Sequence, residues 1–241
     1  MAMDRRLGRE GAALPNKSLV RWRRNGVVWL LSILASAAVS GQQQVNVVSA
    51  DQALTKLMEG NDRYSRDKEQ HPDETLARRR ELENEQHPFA VILSCSDSRV
   101  PPELIFDEGL GDLFVIRVAG NIVDDAVLGS IEYAVEHLHT KLIVVAGHEK
   151  CGAVSAAVAG ANDPGHLKSI VAAIQASVEQ TRNLPGDKVH NCVRANAIRS
   201  ARQIRESEPL RELLQKDGAK VIAADYSLDS GRVTLLDESR P

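Results

Sequence analysis

Three short apolar runs constrain the fold of this chain more than any other feature of its sequence. They span residues 89–94, 113–117 and 142–146, and each is apolar at nearly every position instead of at alternate ones. Continuous apolarity is typical of strands that are buried on both faces of a parallel sheet. Helical patterns lie between and after these runs, and such alternation predicts an α/β fold with a mostly parallel central sheet flanked by helices.

The rest of the chain supplies an arm, further helices and two closing strands. Ser49 and Gln52 form a capping box that predicts the start of an amphipathic N-terminal helix. The charged segment 66–87 predicts a solvated helix or an arm that wraps a partner, so the fold includes an N-terminal helical arm. We also predict helices over 126–138, capped by Asp124 or Asp125, and over 152–160, 168–181 and 189–214, with strands over 220–224 and 232–236.

Positive charge is concentrated at the start of the chain. Residues 1–40 carry seven Lys or Arg and two acidic residues, whereas residues 41–241 carry 23 basic and 31 acidic residues. An acidic body argues against nucleic acid as a partner, because binding to phosphates requires a basic face.

The basic start has the pattern of a secretory signal peptide. An arginine-rich segment precedes an apolar run of about 14 residues and a small-x-small sequence at 38–40. We therefore predict a signal peptide over residues 1–40 and a mature domain over residues 41–241. The domain would be exported, to a bacterial periplasm, with no stable membrane anchor after cleavage. An uncleaved anchor is the alternative, and the sequence leaves open whether the Sec or the twin-arginine route is used.

Potential metal ligands follow two of the apolar runs. Cys95 and Asp97 come directly after the first run, and His148 and Cys151 follow the third. Sites in parallel sheets form at the carboxyl ends of strands, and two thiolates, an imidazole and a carboxylate are ligands that Zn²⁺ takes. The alternative is a Cys95–Cys151 disulfide, which an oxidising compartment would permit.

Asp97 and Arg99 are two residues apart in the same loop, so their side chains can project to one side and pair. An arginine-bound carboxylate stays ionised and orientated, either as a ligand or as a hydrogen-bond acceptor. The alternative is an ordinary surface ion pair.

The sequence Cys-Ser-Asp-Ser-Arg-Val at 95–100, followed by Gly-His-x-x-Cys-Gly at 147–152, resembles the β-class carbonic anhydrases. The resemblance implies one Zn²⁺ per subunit, held by Cys95, His148 and Cys151. In the family, water is the fourth ligand in an open state, and the equivalent of Asp97 is the fourth ligand in a closed state of some members. Arg99 would hold Asp97 off the metal, and zinc-bound hydroxide, assisted by this pair of residues, would hydrate carbon dioxide to bicarbonate.

The resemblance also implies substrate-binding positions and an assembly. Gly152 matches a small residue that lines the pocket, and three further matches lie at Gln86, Phe114 and Tyr133. In the family such aromatic residues come from the neighbouring subunit, which implies a homodimer or a dimer of dimers. Without the resemblance, Phe114 and Tyr133 would be interpreted as core residues.

One departure concerns regulation. Family members with a regulatory bicarbonate pocket carry Trp where this chain has Ile92, although Arg117 and Tyr226 match the pocket's other two residues. We therefore expect no such pocket here and an open site near neutral pH. Two alternative functions remain, namely hydrolysis of carbonyl sulfide or carbon disulfide at the same site, and an exported zinc or thiol sensor without enzymatic activity.

Overall fold

In this computed structural model, residues 48–160 and 165–237 are described. The predicted signal peptide, residues 1–40, lies outside the described residues. Among the helices that are described, none combines the length and the apolarity needed to cross a membrane.

A five-stranded sheet forms the centre of the fold, in the spatial order β2-β1-β3-β4-β5. The first four strands are parallel, and β5 runs antiparallel to β4. This arrangement confirms the predicted mostly parallel sheet. The strands are β1 (Ala90–Ser94), β2 (Leu113–Arg117), β3 (Leu142–His148), β4 (Lys220–Tyr226) and β5 (Val233–Leu235).

Eight α-helices are present in the described residues, and the local cap signals in the sequence locate two of their starts. Ser49 and Gln52 form the expected capping box, and the side chain of Asp124 accepts a hydrogen bond from the backbone N of Val127. The helices are α1 (Ala50–Tyr64), α2 (Leu76–Glu81), α3 (Pro102–Ile105), α4 (Asp125–Glu136), α5 (Gly152–Val158), α6 (Leu167–Thr181), α7 (Lys188–Glu206) and α8 (Leu210–Asp217).

The structure differs from the sequence prediction in three segments. The single helix predicted over 189–214 is wrong, because Ser207 is extended and Pro209, which lacks a backbone N–H, separates α7 from α8. Within 66–87 only the six residues of α2 are helical, and none of them is buried. The short helix α3, which starts at two prolines, was not predicted.

Alternate residues of the strands divide the core between the two faces of the sheet. On one face, side chains such as Ile92 and Val144 pack with α1, α5 and α6 and with the start of α7. On the other face, Val91, Leu93 and Val145 pack with α4, α8 and the second half of α7. Cys95 and Cys151 belong to the first face, so the candidate site lies on the side of the sheet that α1 and α5 cover.

Helix α1 is joined to the sheet by a close approach and a buried amide. Gly60 lies so near α3 that an added Cβ would be 1.8 Å from the carbonyl oxygen of Phe106. Next to it, Asn61 is buried and donates to the carbonyl oxygens of Ile105 and Gly231, at 3.1 and 2.8 Å. Its Oδ1 accepts from the backbone N of Val233 at 2.8 Å. One side chain therefore connects α1, α3 and β5.

We predict that Asn61→Ala lowers the free energy of unfolding by about 3–5 kcal/mol, because three backbone groups, two of them buried and one partly buried, lose their partner. Denaturant unfolding of the variant and the native chain measures this difference. Glu59→Ala, on the exposed side of the same helix, is the matched control. Equal stability of the Asn61 variant and this control would contradict the prediction.

Candidate metal centre

Three residues at the carboxyl ends of neighbouring strands form the candidate site. Cys95 follows β1 directly, His148 is the last residue of β3, and Cys151 is the N-cap of α5. Strand β3 is two residues longer than predicted, so His148 lies within the strand instead of beyond it. Because β1 and β3 are paired in parallel, with Ser94 opposite Ala146, their ends meet at one edge of the sheet.

The donor atoms of this group are close enough to share one metal ion. The two Sγ atoms and the imidazole nitrogen lie within 4.8 Å of one another, and all three residues are buried. The sulfur atoms of Cys95 and Cys151 are 3.9 Å apart. Two thiolates on a tetrahedral zinc ion would be separated by about 3.8 Å, given Zn–S distances of about 2.3 Å. The spacing therefore fits Zn²⁺.

One of the two imidazole nitrogens of His148 is available to bind a metal ion. Nδ1 lies 2.9 Å from the carbonyl oxygen of Glu149, so this nitrogen carries the proton in the tautomer that forms the hydrogen bond. The other nitrogen, Nε2, is buried and has no hydrogen-bond partner among the residues that the structure describes. A buried acceptor without a partner is costly, and a metal ion bound at Nε2 would satisfy it.

The contact between the two thiols shifts their pKa values in opposite directions. The hydrogen bond between the two sulfurs lowers the pKa of Cys95, against the opposing effect of burial, and the hydrogen bond from the backbone N of Gly120 assists. The same hydrogen bond, together with burial, raises the pKa of Cys151. A divalent cation between the sulfurs would replace the shared proton and favour both thiolates.

Asp97 lies beside this group and is firmly paired with Arg99. The guanidinium of Arg99 donates from Nε and Nη2 to the two carboxylate oxygens at 2.9 and 2.7 Å. The hydrogen bond from Arg99 holds the pKa of Asp97 well below its usual value, although burial opposes this. Asp97 is therefore ionised throughout the neutral range, and its Oδ2 lies 4.0 Å from Nε2 of His148.

Arg117 fixes the loop that carries Cys95 and Asp97. It lies at the end of β2, opposite Ser94, and its guanidinium donates to the backbone carbonyl oxygens of Cys95 and Asp97. The sequence suggested Arg117 only as a match to a regulatory pocket. At the other two positions that correspond to this pocket, Ile92 is fully buried, and the hydroxyl of Tyr226 lies 3.3 Å from that of Tyr64.

The four predicted substrate-binding residues are distributed unevenly. Gly152 is exposed at the start of α5, next to Cys151, with open space where a Cβ would point. Gln86 lies before the start of β1, at the end of the strand away from the candidate site. Phe114 and Tyr133 pack against each other with ring centroids 6.2 Å apart, and Phe114 packs on the opposite face of the sheet. A single chain therefore brings only Gly152 to the three metal-ligand candidates.

Comparison with known proteins places the chain in one family. The family model described as carbonic anhydrase matches residues 90–233. Carbonic anhydrase 2 of Mycobacterium tuberculosis is 41% identical over 197 residues, which cover 77% of this chain and 92% of that protein. The carbonic anhydrase of Mycolicibacterium smegmatis is 37% identical over 188 residues, which cover 76% and 91%.

Solved structures agree with this result. The β-carbonic anhydrase CafA of Aspergillus fumigatus superposes with a TM-score of 0.63 at 30% identity, covering 79% of this chain and 92% of that one. A tetrameric β-carbonic anhydrase of Sordaria macrospora gives 0.61 at 28% identity, with coverages of 65% and 84%. The fold, the two strand-end motifs and these relatives together show that the chain belongs to the β-carbonic anhydrase family of lyases.

Proposed function

We propose that this chain interconverts carbon dioxide and water with bicarbonate and a proton, using one Zn²⁺ held by Cys95, His148 and Cys151. The observation that carries the proposal is the buried group of three donors, in which Nε2 of His148 has no hydrogen-bond partner within residues 48–160 and 165–237. When bound, the metal supplies the Lewis acidity that makes water a nucleophile near neutral pH. Two sulfurs and one imidazole leave a fourth position for that water, as in catalytic zinc sites.

Asp97 and Arg99 would orient the nucleophile. The ionised carboxylate of Asp97 lies within reach of the open side of the group and can accept a hydrogen bond from the attacking water. Arg99 occupies both carboxylate oxygens, so it competes with any metal for Asp97. This pairing supports an open site in which water, and not Asp97, takes the fourth position.

We predict that Asp97→Asn lowers the rate of carbon dioxide hydration by about 10²–10⁴-fold, because the variant loses the charged acceptor that orients the water. Stopped-flow hydration assays measure the rate, and elemental analysis on the same samples should find one zinc per chain in both proteins. Glu103→Gln, an exposed carboxylate elsewhere on the surface, is the control. Unchanged activity of the Asp97 variant would contradict its role, and a native chain without zinc would contradict the proposed function itself.

We also propose that two copies pair through the face formed by β2 and α4. In the described part of the chain, strand β2 is an edge strand that pairs only with β1, and its first four residues are only partly buried. Tyr133 is 46% exposed next to Phe114. An unpaired edge beside an exposed aromatic ring is typical of an interface. The tetrameric relative from Sordaria macrospora supports an oligomer as well. In such an assembly Gln86, Phe114 and Tyr133 would serve the partner's site.

Tyr133→Glu should shift the protein from dimer to monomer, because it places a charge in the centre of the proposed interface. Sedimentation velocity measures the mass. Leu167→Glu makes the same kind of change at an apolar residue that is exposed on α6, and it should leave the dimer intact. If Tyr133→Glu leaves the dimer intact while Leu167→Glu dissociates it, the interface lies elsewhere.

The proposed site of action is outside the cytoplasm, in the periplasm of a bacterium, with residues 1–40 as a signal peptide. Support comes from the arginine-rich and apolar pattern of the first forty residues. The full chain expressed in a Gram-negative host should appear in the periplasmic fraction with a new amino terminus near Gly41, determined by mass spectrometry. Uncleaved chain in the membrane fraction would instead support the anchor.

A further inference from the structure

Only Glu149 and Lys150 separate the two ligand positions His148 and Cys151. Within these two residues the chain must pass from the end of β3 to the start of α5. Lys150 has a φ of 54°, in the left-handed region that residues other than glycine rarely adopt. Such a link holds its shape only when surrounding groups fix it, so the placement of both ligands depends on the contacts of this short segment.

Glu149 makes contacts with the turn that follows β4. Its backbone N donates to the carbonyl oxygen of Tyr226 at 3.0 Å, which continues the pairing of β3 with β4. Its side chain reaches further along the same turn. There Oε2 accepts hydrogen bonds from the backbone N of Leu228 at 3.0 Å and from the hydroxyl of Ser227 at 3.2 Å. The carboxylate therefore fastens the ligand segment to a second strand.

The same residue also controls the orientation of a ligand. The carbonyl oxygen of Glu149 accepts the hydrogen bond from Nδ1 of His148 at 2.9 Å. The carboxylate and this carbonyl belong to one residue, so loss of the contacts with Leu228 and Ser227 would remove a restraint on the backbone torsions that direct the carbonyl, which could then turn. The imidazole would then lose the partner that fixes its tautomer and the direction of Nε2.

We propose that Glu149 is a positioning residue for the metal. Its carboxylate, held by Leu228 and Ser227, fixes the carbonyl group that orients His148. The inference rests on the proposed function only in requiring that His148 binds a metal ion. Groups that orient a metal ligand through a hydrogen bond typically change the metal affinity by about 10–100-fold when they are removed. The effect on metal affinity depends on the length of the Glu149 side chain, because its hydrogen bonds to Leu228 and Ser227, and not its negative charge alone, hold the turn.

Three substitutions at Glu149 separate the effect of side-chain length from the effect of negative charge. Glu149→Gln keeps the length and an oxygen acceptor but loses the charge. Glu149→Asp keeps the charge but is shorter by one carbon–carbon bond, about 1.5 Å, so its oxygens fall short of the backbone N of Leu228. Glu149→Ala loses both properties. Asp229→Ala, an exposed carboxylate on the same turn, is the matched control.

The experiment loads each full-length protein with Zn²⁺ and measures release of the ion to an excess of a chromogenic chelator, without substrate. We expect the Asp and Ala variants to release zinc about 10–100-fold faster than the native chain, and the Gln and Asp229 variants to stay within about fivefold. The Co²⁺-loaded Gln variant should keep the native visible absorption bands, whereas the Asp variant should not. If the Ala variant fails to fold, the comparison between the Gln and Asp variants still tests the proposed role of Glu149.

Several results would overturn the inference. Release from the Asp variant within about fivefold of the native rate would show that the contact does not hold the ligand. Faster release from the Gln variant than from the Asp variant would show that charge acts instead of reach. In both cases the native chain still holds zinc, so the proposed function survives. A native chain that binds no zinc would overturn the two together.

Discussion

The parallel pairing of β1 and β3 is the interaction on which the candidate site depends. It places Ser94 beside Ala146, so that Cys95 and His148 emerge at the same edge of the sheet although they are distant in sequence. Successive side chains in a strand point to opposite faces, so a shift of this register by one residue would separate the two ligands. Both faces of these strands are buried, so the close packing of particular side chains against the helices on each face fixes the register.

Each ligand strand is supported by its outer neighbour in the sheet. Next to β1, the last residue of β2 is Arg117, which donates hydrogen bonds to the carbonyl oxygens of Cys95 and Asp97. Next to β3, the turn after β4 receives the carboxylate of Glu149. Four adjacent strands therefore contribute to one site, two through metal ligands and two through contacts that hold the ligand loops. An arrangement of this kind limits the movement of the donors and so suits a metal that prefers one geometry.

Features that depend on local pattern could be predicted from the sequence. The buried strands, the capping box of α1 and the grouping of Cys95, His148 and Cys151 all follow from short motifs and from the rule that sites form at the carboxyl ends of parallel strands. Features that depend on distant partners could not. Nothing near Glu149 in the sequence indicates Leu228 as its partner. The helix break at Pro209 did have a local signal, because proline lacks the backbone N–H that a continuing helix needs.

Strand β2 connects the site with the proposed dimer interface. Its last residue, Arg117, contacts the loop of Cys95 and Asp97, while its first four residues form the partly exposed edge beside Tyr133. A partner that pairs with this edge would restrict the motion of β2 and, through Arg117, of the loop that carries Asp97. The proposed dimer would thus contribute side chains to the partner's pocket and also stabilise the metal-binding loop within its own subunit. Both effects arise because β2 pairs with β1 along one side, and no strand of the described residues pairs with its other side.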